Sequence, residues 1–140
     1  WARLGNLYGG GDSGGNLVDY TLRTLSKGEK AIFGPAEQPY DFIHAFDCAK
    51  ALAGLGISDT VRFADYYVGS GDVRPLKDFL REIGSLLGKP ELIEIGGRPD
   101  DGTRYEAEWF SIKPLADDIG YEPTIKFAEG IKEVVNGSYS

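Results

Sequence analysis

A chain of 140 residues, 41% apolar and 12% aromatic, has the length of one domain and can bury about 70% of its unfolded surface without staples. Its net charge of −7 argues against a nucleic-acid surface, which needs a basic patch, and against an anionic membrane; no apolar run is long enough to span one, and no signal peptide opens the chain. The single Cys48 leaves no internal disulfide and no cysteine-based zinc site, and it fits a reducing cytoplasm.

Residues 2–8 read as a short strand. The chain opens on Trp1 inside that strand and holds no Met, so a piece of a longer protein is expected. Asn16 is placed to cap a helix from Leu17 to about Lys27, with Gly28 as its stop. Val18, Leu22 and Leu25 form its apolar stripe. Strands follow from Lys30 to Phe33 and from Tyr40 to His44. Asp47 is expected to cap an Ala-rich helix that Gly56 closes. Val61 to Val68 reads as a buried strand. The next helix has the clearest pattern: Pro75 near its start, then Leu76, Phe79, Leu80, Ile83, Leu86 and Leu87 on one face, and Gly88-Lys89-Pro90 at its end. A strand from Leu92 to Ile95, a Gly-rich loop over 96–102, a short helix capped by Ser111 and ended by Gly120, and a last helix with Phe127, Ile131, Val134 and Val135 complete the chain. Short strands alternating with helices predict an α/β fold.

The stretch GGGDSGGN, residues 9–16, matches several catalytic motifs by letter. As a serine-nucleophile site it fails. The one histidine, His44, follows Ser13 too closely for an α/β-hydrolase, and nothing before Ser13 can serve as its base. As a dinucleotide fingerprint, Gly9, Gly11 and Gly14 follow a strand that carries Arg3 and Asn6. Asp12 there sets a carboxylate beside the pyrophosphate.

Several segments, in order, resemble the C-terminal half of the extended short-chain dehydrogenase/reductase family, the NAD-dependent nucleotide-sugar epimerases and dehydratases. Arg3-Leu4-Gly5-Asn6-Leu7-Tyr8-Gly9 is similar to R-x-x-N-x-Y-G. Asn16-Leu17-Val18-Asp19-Tyr20 is similar to the "NLxxY" helix start. Ala31-Ile32-Phe33-Gly34 is similar to "xxxFG". Asp41-Phe42-Ile43-His44, followed by Asp47-Cys48-Ala49, is similar to "DFIHVxDxA". Tyr67-Val68-Gly69-Ser70-Gly71, Arg98-Pro99-Asp100-Asp101 and Gly120-Tyr121-Glu122-Pro123 are similar to "YNVGSG", "RPGD" and "LGWEP". The resemblance implies a single substrate-binding domain over 1–140, part of an extended Rossmann-type enzyme whose nucleotide-binding half is absent, with residues 1–8 a late strand of the missing sheet. It makes the glycine stretch a loop between strand and helix, neither nucleophile nor NAD site.

The family's catalytic Tyr-x-x-x-Lys pair is missing: no tyrosine here has a lysine four residues on. The resemblance therefore implies an enzyme whose hydride-transfer residues lie elsewhere, with NAD(P) bound by the complete enzyme and not by this chain alone. What remains is binding of a nucleoside-diphosphate-sugar, for which it implies Asn6, Asn16, Leu17, Ala31, Phe33, Tyr40, Arg74, Arg98 and Asp101. Arg98 is the expected phosphate ligand, because a guanidinium holds phosphate with two parallel hydrogen bonds; its other reading is a surface arginine paired with Asp100 or Asp101. Tyr40 stands where the family has an arginine, so the diphosphate clamp has one arginine fewer. Asn16 as a plain helix cap, Ala31 and Phe33 as plain core, and Arg74 as a surface arginine are the competing readings. A reductase of the same family and a non-catalytic nucleotide-sugar-binding module are the alternatives to an epimerase or dehydratase. Dimerisation, if any, is assigned to the missing half.

Overall fold

The computed structural model describes residues 1–9, 16–59, 62–63, 65–102 and 104–138. The glycine stretch from 10 to 15, with Asp12 and Ser13, lies outside them, as do residue 60 and, of the expected strand over 61–68, residues 61 and 64.

The described residues form eight short strands interspersed with five α-helices. Residues 2–8, expected as one strand, form two: β1 (Ala2–Leu4) and β2 (Asn6–Tyr8). The break is at Gly5, whose N–H still reaches Val68 O of one neighbour while the N–H of Asn6 already reaches Asp41 O of the next. A side chain at position 5 has no room, because its Cβ would stand 2.8 Å from the Tyr67 hydroxyl. β1 thus pairs in parallel with β6 (Tyr66–Val68), and β2 in parallel with β5 (Phe42–His44). The expected strand over Tyr40 to His44 is divided likewise. β4 (Pro39–Tyr40) runs antiparallel to β7 (Arg74–Pro75), and Asp41 sits between β4 and β5. β3 (Ala31–Phe33) pairs in parallel with β8 (Ile93–Ile95), which begins one residue later than expected because Pro90–Leu92 form a 3-10 turn.

α1 (Leu17–Ser26) begins at Asn16, whose Oδ1 accepts from Asp19 N at 2.8 Å, and gives way to Gly28 at φ 75°. α2 (Ala45–Ile57) starts three residues earlier than expected and runs through Gly56 instead of closing there. The ring of His44, not Asp47, caps it, with Nδ1 accepting from Phe46 N at 3.0 Å. α3 (Leu76–Leu86) buries Leu76, Phe79, Leu80 and Ile83, the stripe its sequence shows. α4 (Lys113–Ile119) ends at Gly120 in the left-handed region, and Ser111 accepts from Lys113 N one position outside the cap. α5 (Phe127–Ser138) buries Phe127 and Ile131.

Two apolar clusters hold these elements. The larger joins α1, α3 and α5 to β3 through Leu22, Leu25, Ala31, Phe79, Leu80 and Ile131. The smaller gathers Ile43, Cys48, Ala51, Val68, Leu115 and Tyr121 around β6, α2 and α4.

Candidate functional site

A cleft of about 580 Å³ opens at the end of β3. One wall is the loop from Gly34 to Pro39, fixed to α3 by bonds from Leu76 N to Gln38 O (2.9 Å) and Lys77 N to Ala36 O (2.8 Å). The other wall is the loop from Arg98 to Tyr105, held against β3 by the bond from Arg98 N to Phe33 O at 3.1 Å. Phe33, Arg98 and Asp101, three residues expected from separate segments, line it together. Arg104 lines it as well, but its guanidinium is paired with Asp100 at 2.9 Å. Arg98 is exposed and has no carboxylate within ion-pairing distance among the described residues.

A second pocket of about 250 Å³ shares Tyr105 with the cleft. Arg3, Asn6 and Tyr40 line it, and Tyr67, Trp109 and Phe110 give it aromatic walls. The Tyr40 ring lies 6.4 Å from that of Tyr105 and 5.0 Å from that of Phe42. Burial, then the nearby Tyr105 hydroxyl, push the Tyr40 hydroxyl above the ordinary tyrosine value. Beneath this pocket is Asp41, fully buried. Its carboxylate accepts from the Tyr67 hydroxyl at 2.9 Å, from Ser70 N at 3.1 Å and from the Ser70 hydroxyl. Burial raises its pKa, and these hydrogen bonds oppose the rise without cancelling it. Gly69 leaves no room for a Cβ between the Tyr67 ring and Asp41, which is why the turn after β6 needs glycine there.

The chain is 31% identical, over 127 residues, to dTDP-4-dehydro-6-deoxy-D-allose reductase of Streptomyces bikiniensis, covering 86% of this chain and 37% of that protein. Its fold superposes with a TM-score of 0.79 on dTDP-glucose 4,6-dehydratase of Bacillus anthracis solved with NAD, at 22% identity over 96% of this chain and 42% of that one. The UDP-N-acetylglucosamine 4-epimerase of Bacillus cereus gives a TM-score of 0.80 at 16% identity, over 99% of this chain and 47% of that one. By sequence the chain is thus similar to part of a nucleotide-sugar reductase, and by fold to nucleotide-sugar epimerases and dehydratases. It has the fold of their C-terminal part, and it spans less than half the length of the proteins it matches. No protein-family profile matches it.

The remaining expected site residues are engaged elsewhere. Asn16 caps α1 with its oxygen and donates its amide to Leu7 O at 3.3 Å. Leu17 packs on the larger cluster, and Ala31 is wholly buried in it. Arg74 does not reach either cavity just described. It is clamped by Asp72 at 2.9 Å and Glu82 at 2.7 Å, with its guanidinium 4.1 Å from the centre of the Phe79 ring. Those carboxylates, not a ligand phosphate, balance its charge at the start of α3. It lines a third cavity, of about 440 Å³, between β7 and the start of α5. Arg3, Tyr105, Trp109 and Asp41 were not singled out by sequence. The usable signal for Arg3 was its place three residues before Asn6; Tyr105 and Trp109 lie in a segment with no periodicity to place them. Among the described residues no cluster of three or more His, Cys, Asp or Glu side chains is arranged to hold a metal ion, and no helix is long and apolar enough to cross a membrane.

Proposed function

We propose that this chain is the nucleotide-sugar-binding part of an NAD(P)-dependent enzyme, and that the nucleoside diphosphate lies in the cleft between the 34–39 and 98–105 loops. The observation that carries this reading is the meeting of Phe33, Arg98 and Asp101 in one 580 Å³ cleft, with Arg98 left unpaired while its neighbour Arg104 is neutralised. Cavities of this size are typical of small-ligand sites. An exposed guanidinium beside a backbone held to the sheet is a suitable phosphate grip. Phe33 offers an aromatic surface to a base, and Asp101 an acceptor to a ribose or base donor. In this reading β1 and β2 adjoin the complete enzyme's sheet.

NAD(P), when bound to the complete enzyme, supplies the hydride chemistry. The residues of this chain fit that cofactor poorly. Asn16 already occupies the N-terminus of α1, and Asp19 adds a carboxylate in its first turn, where a pyrophosphate would be repelled. With no Tyr-x-x-x-Lys in the sequence, proton transfer at the sugar hydroxyl is assigned to residues outside this chain, which by itself is expected to be inactive. Among the reaction types of its relatives, reduction has the support of the 31% identical reductase.

The test is calorimetry of the complete protein with dTDP. Arg98→Ala is expected to weaken binding about tenfold, on the order of 1.4 kcal/mol. Unchanged affinity would remove Arg98 from the site and the reading with it.

A further inference from the structure

The 250 Å³ pocket beside the nucleotide cleft has an electrostatic character unlike the rest of this molecule. The chain carries 22 acidic against 15 basic residues. Carboxylates line the cleft (Glu37, Asp100, Asp101) and the third cavity (Asp72, Glu82). Among the described residues none lines the second pocket. Its polar groups are the Arg3 guanidinium, the Asn6 amide, the hydroxyls of Tyr40 and Tyr105 and the Trp109 indole. Tyr67 shows the pocket its ring, because its hydroxyl donates to Asp41. A pocket that offers a cation and several donors, and no negative charge, suits an anion.

We propose that Arg3 is the cation of a phosphate pocket formed with Asn6 and Tyr40, and that it grips the sugar-side phosphate of the ligand whose nucleotide end lies at Arg98. The proposal rests on the nucleotide reading for the second half of that statement only. Three observations support Arg3. Its guanidinium lies 5.9 Å from the centre of the Tyr67 ring, and Asp41 fixes that ring from below. Among the described residues its ionic partner is Asp65 at 3.1 Å, with the two side chains 57% and 52% exposed. A pair so exposed contributes little, whereas a bidentate bond to phosphate is stronger, so a ligand can take Arg3 from Asp65. Finally, Tyr105 lines both cavities, so the pocket of Arg3 adjoins the cleft of Arg98. Asn6 donates one amide proton to Asp41 O at 3.2 Å and keeps the other. The Tyr40 hydroxyl, like any tyrosine's, is protonated at neutral pH and can donate. Arg3 therefore supplies the positive charge that Tyr40 cannot.

The experiment compares dTDP, dTMP and inorganic pyrophosphate by calorimetry on the complete protein, wild type against Arg3→Ala and Arg3→Lys. The expected result is that wild type prefers dTDP over dTMP by tenfold or so. Arg3→Ala should abolish the preference while leaving dTMP affinity unchanged, and Arg3→Lys, which keeps the charge and loses the fork, should restore part of it. If Arg3→Ala keeps the full preference, Arg3 is not the phosphate ligand, and the nucleotide cleft stands without it. If wild type binds neither nucleotide, the nucleotide reading falls and pyrophosphate decides on Arg3 alone. Binding lost in Arg3→Ala then upholds the pocket, and binding equal in both, or absent from wild type, overturns it.

Discussion

Two buried aspartates lie six residues apart and behave in opposite ways. Asp41 has its pKa raised, foremost by burial. Asp47 is pushed up by burial too, but there the hydrogen bonds win. It accepts from Ile125 N at 2.9 Å, from Thr124 N at 3.1 Å and from the Thr124 hydroxyl at 2.7 Å, and Lys50 lies 3.6 Å away, so its pKa falls below the ordinary 3.8. The linkage follows directly. Asp47 contributes stability above its unfolded value of 3.8 and loses it as the pH falls through its lower folded value. Asp41 does the reverse: its contribution is full below 3.8 and is lost as the pH rises through its raised folded value. Asp47→Ala leaves two backbone N–H groups before α5 without an acceptor and should cost about 1–3 kcal/mol in urea unfolding at neutral pH. The gap between variant and wild type should narrow as the pH is brought below the usual carboxylate range. A constant gap across acid pH would show that the charge is not what stabilises the loop. The sequence marks Asp47 as a residue of the helix start, and it does lie in the first turn of α2. Its real partners are 77 and 78 residues further on, and no local pattern points that far. Arg74 has the same lesson: its position at a helix start was legible, but Glu82, one of the two carboxylates that neutralise it, reaches it only once α3 has formed.

At the level of elements, what can be read locally is set by local forces. The α3 stripe, the Asn16 cap and the Gly120 terminator depend on helical spacing, on a side-chain oxygen three residues from its donor, and on a left-handed φ of 68°. The division of residues 2–8 depends on the Tyr67 hydroxyl, and that of 40–44 on the burial of Asp41. Both are tertiary facts. α5 adds a case in which tertiary packing overrides propensity. Gly130 is its fourth residue, inside the helix, where alanine is favoured by roughly 1 kcal/mol. Here a Cβ would stand 2.7 Å from the ring of Tyr8, which is itself 2% exposed and packed on Phe127 and His44. Gly130→Ala should therefore destabilise, by about 1–3 kcal/mol of overpacking, measured by thermal or urea unfolding. Pairing it with Tyr8→Leu, which shrinks the opposing ring, should recover part of the loss. A stabilised single variant would mean that the α5–β2 contact has slack that the structure does not show.

On the scale of the whole molecule, the two apolar clusters are separated by single strands read from opposite sides. On β5, Phe42 belongs to the larger cluster and Ile43 to the smaller. On β6, Tyr66 and Val68 face the smaller cluster, while Tyr67 turns to the anion pocket. This is the two-residue period of a strand put to architectural use. Its consequence is a division of labour. The cleft between the 34–39 and 98–105 loops is built on the larger cluster, which supplies Phe33, Ala36 and Leu76 to its lining. The smaller cluster supplies none of these. Leu115→Ala, in the smaller cluster, and Leu76→Ala, in the larger, should each cost about 2–5 kcal/mol of stability. Their effects on binding should differ. Under conditions where both variants remain folded, dTMP should bind the Leu115 variant as it binds wild type, because its single phosphate needs only the cleft. It should bind the Leu76 variant more weakly, because a wall of the cleft has been removed. Equal losses of dTMP affinity in the two variants would show that the clusters act as one body and that the cleft depends on the entire core.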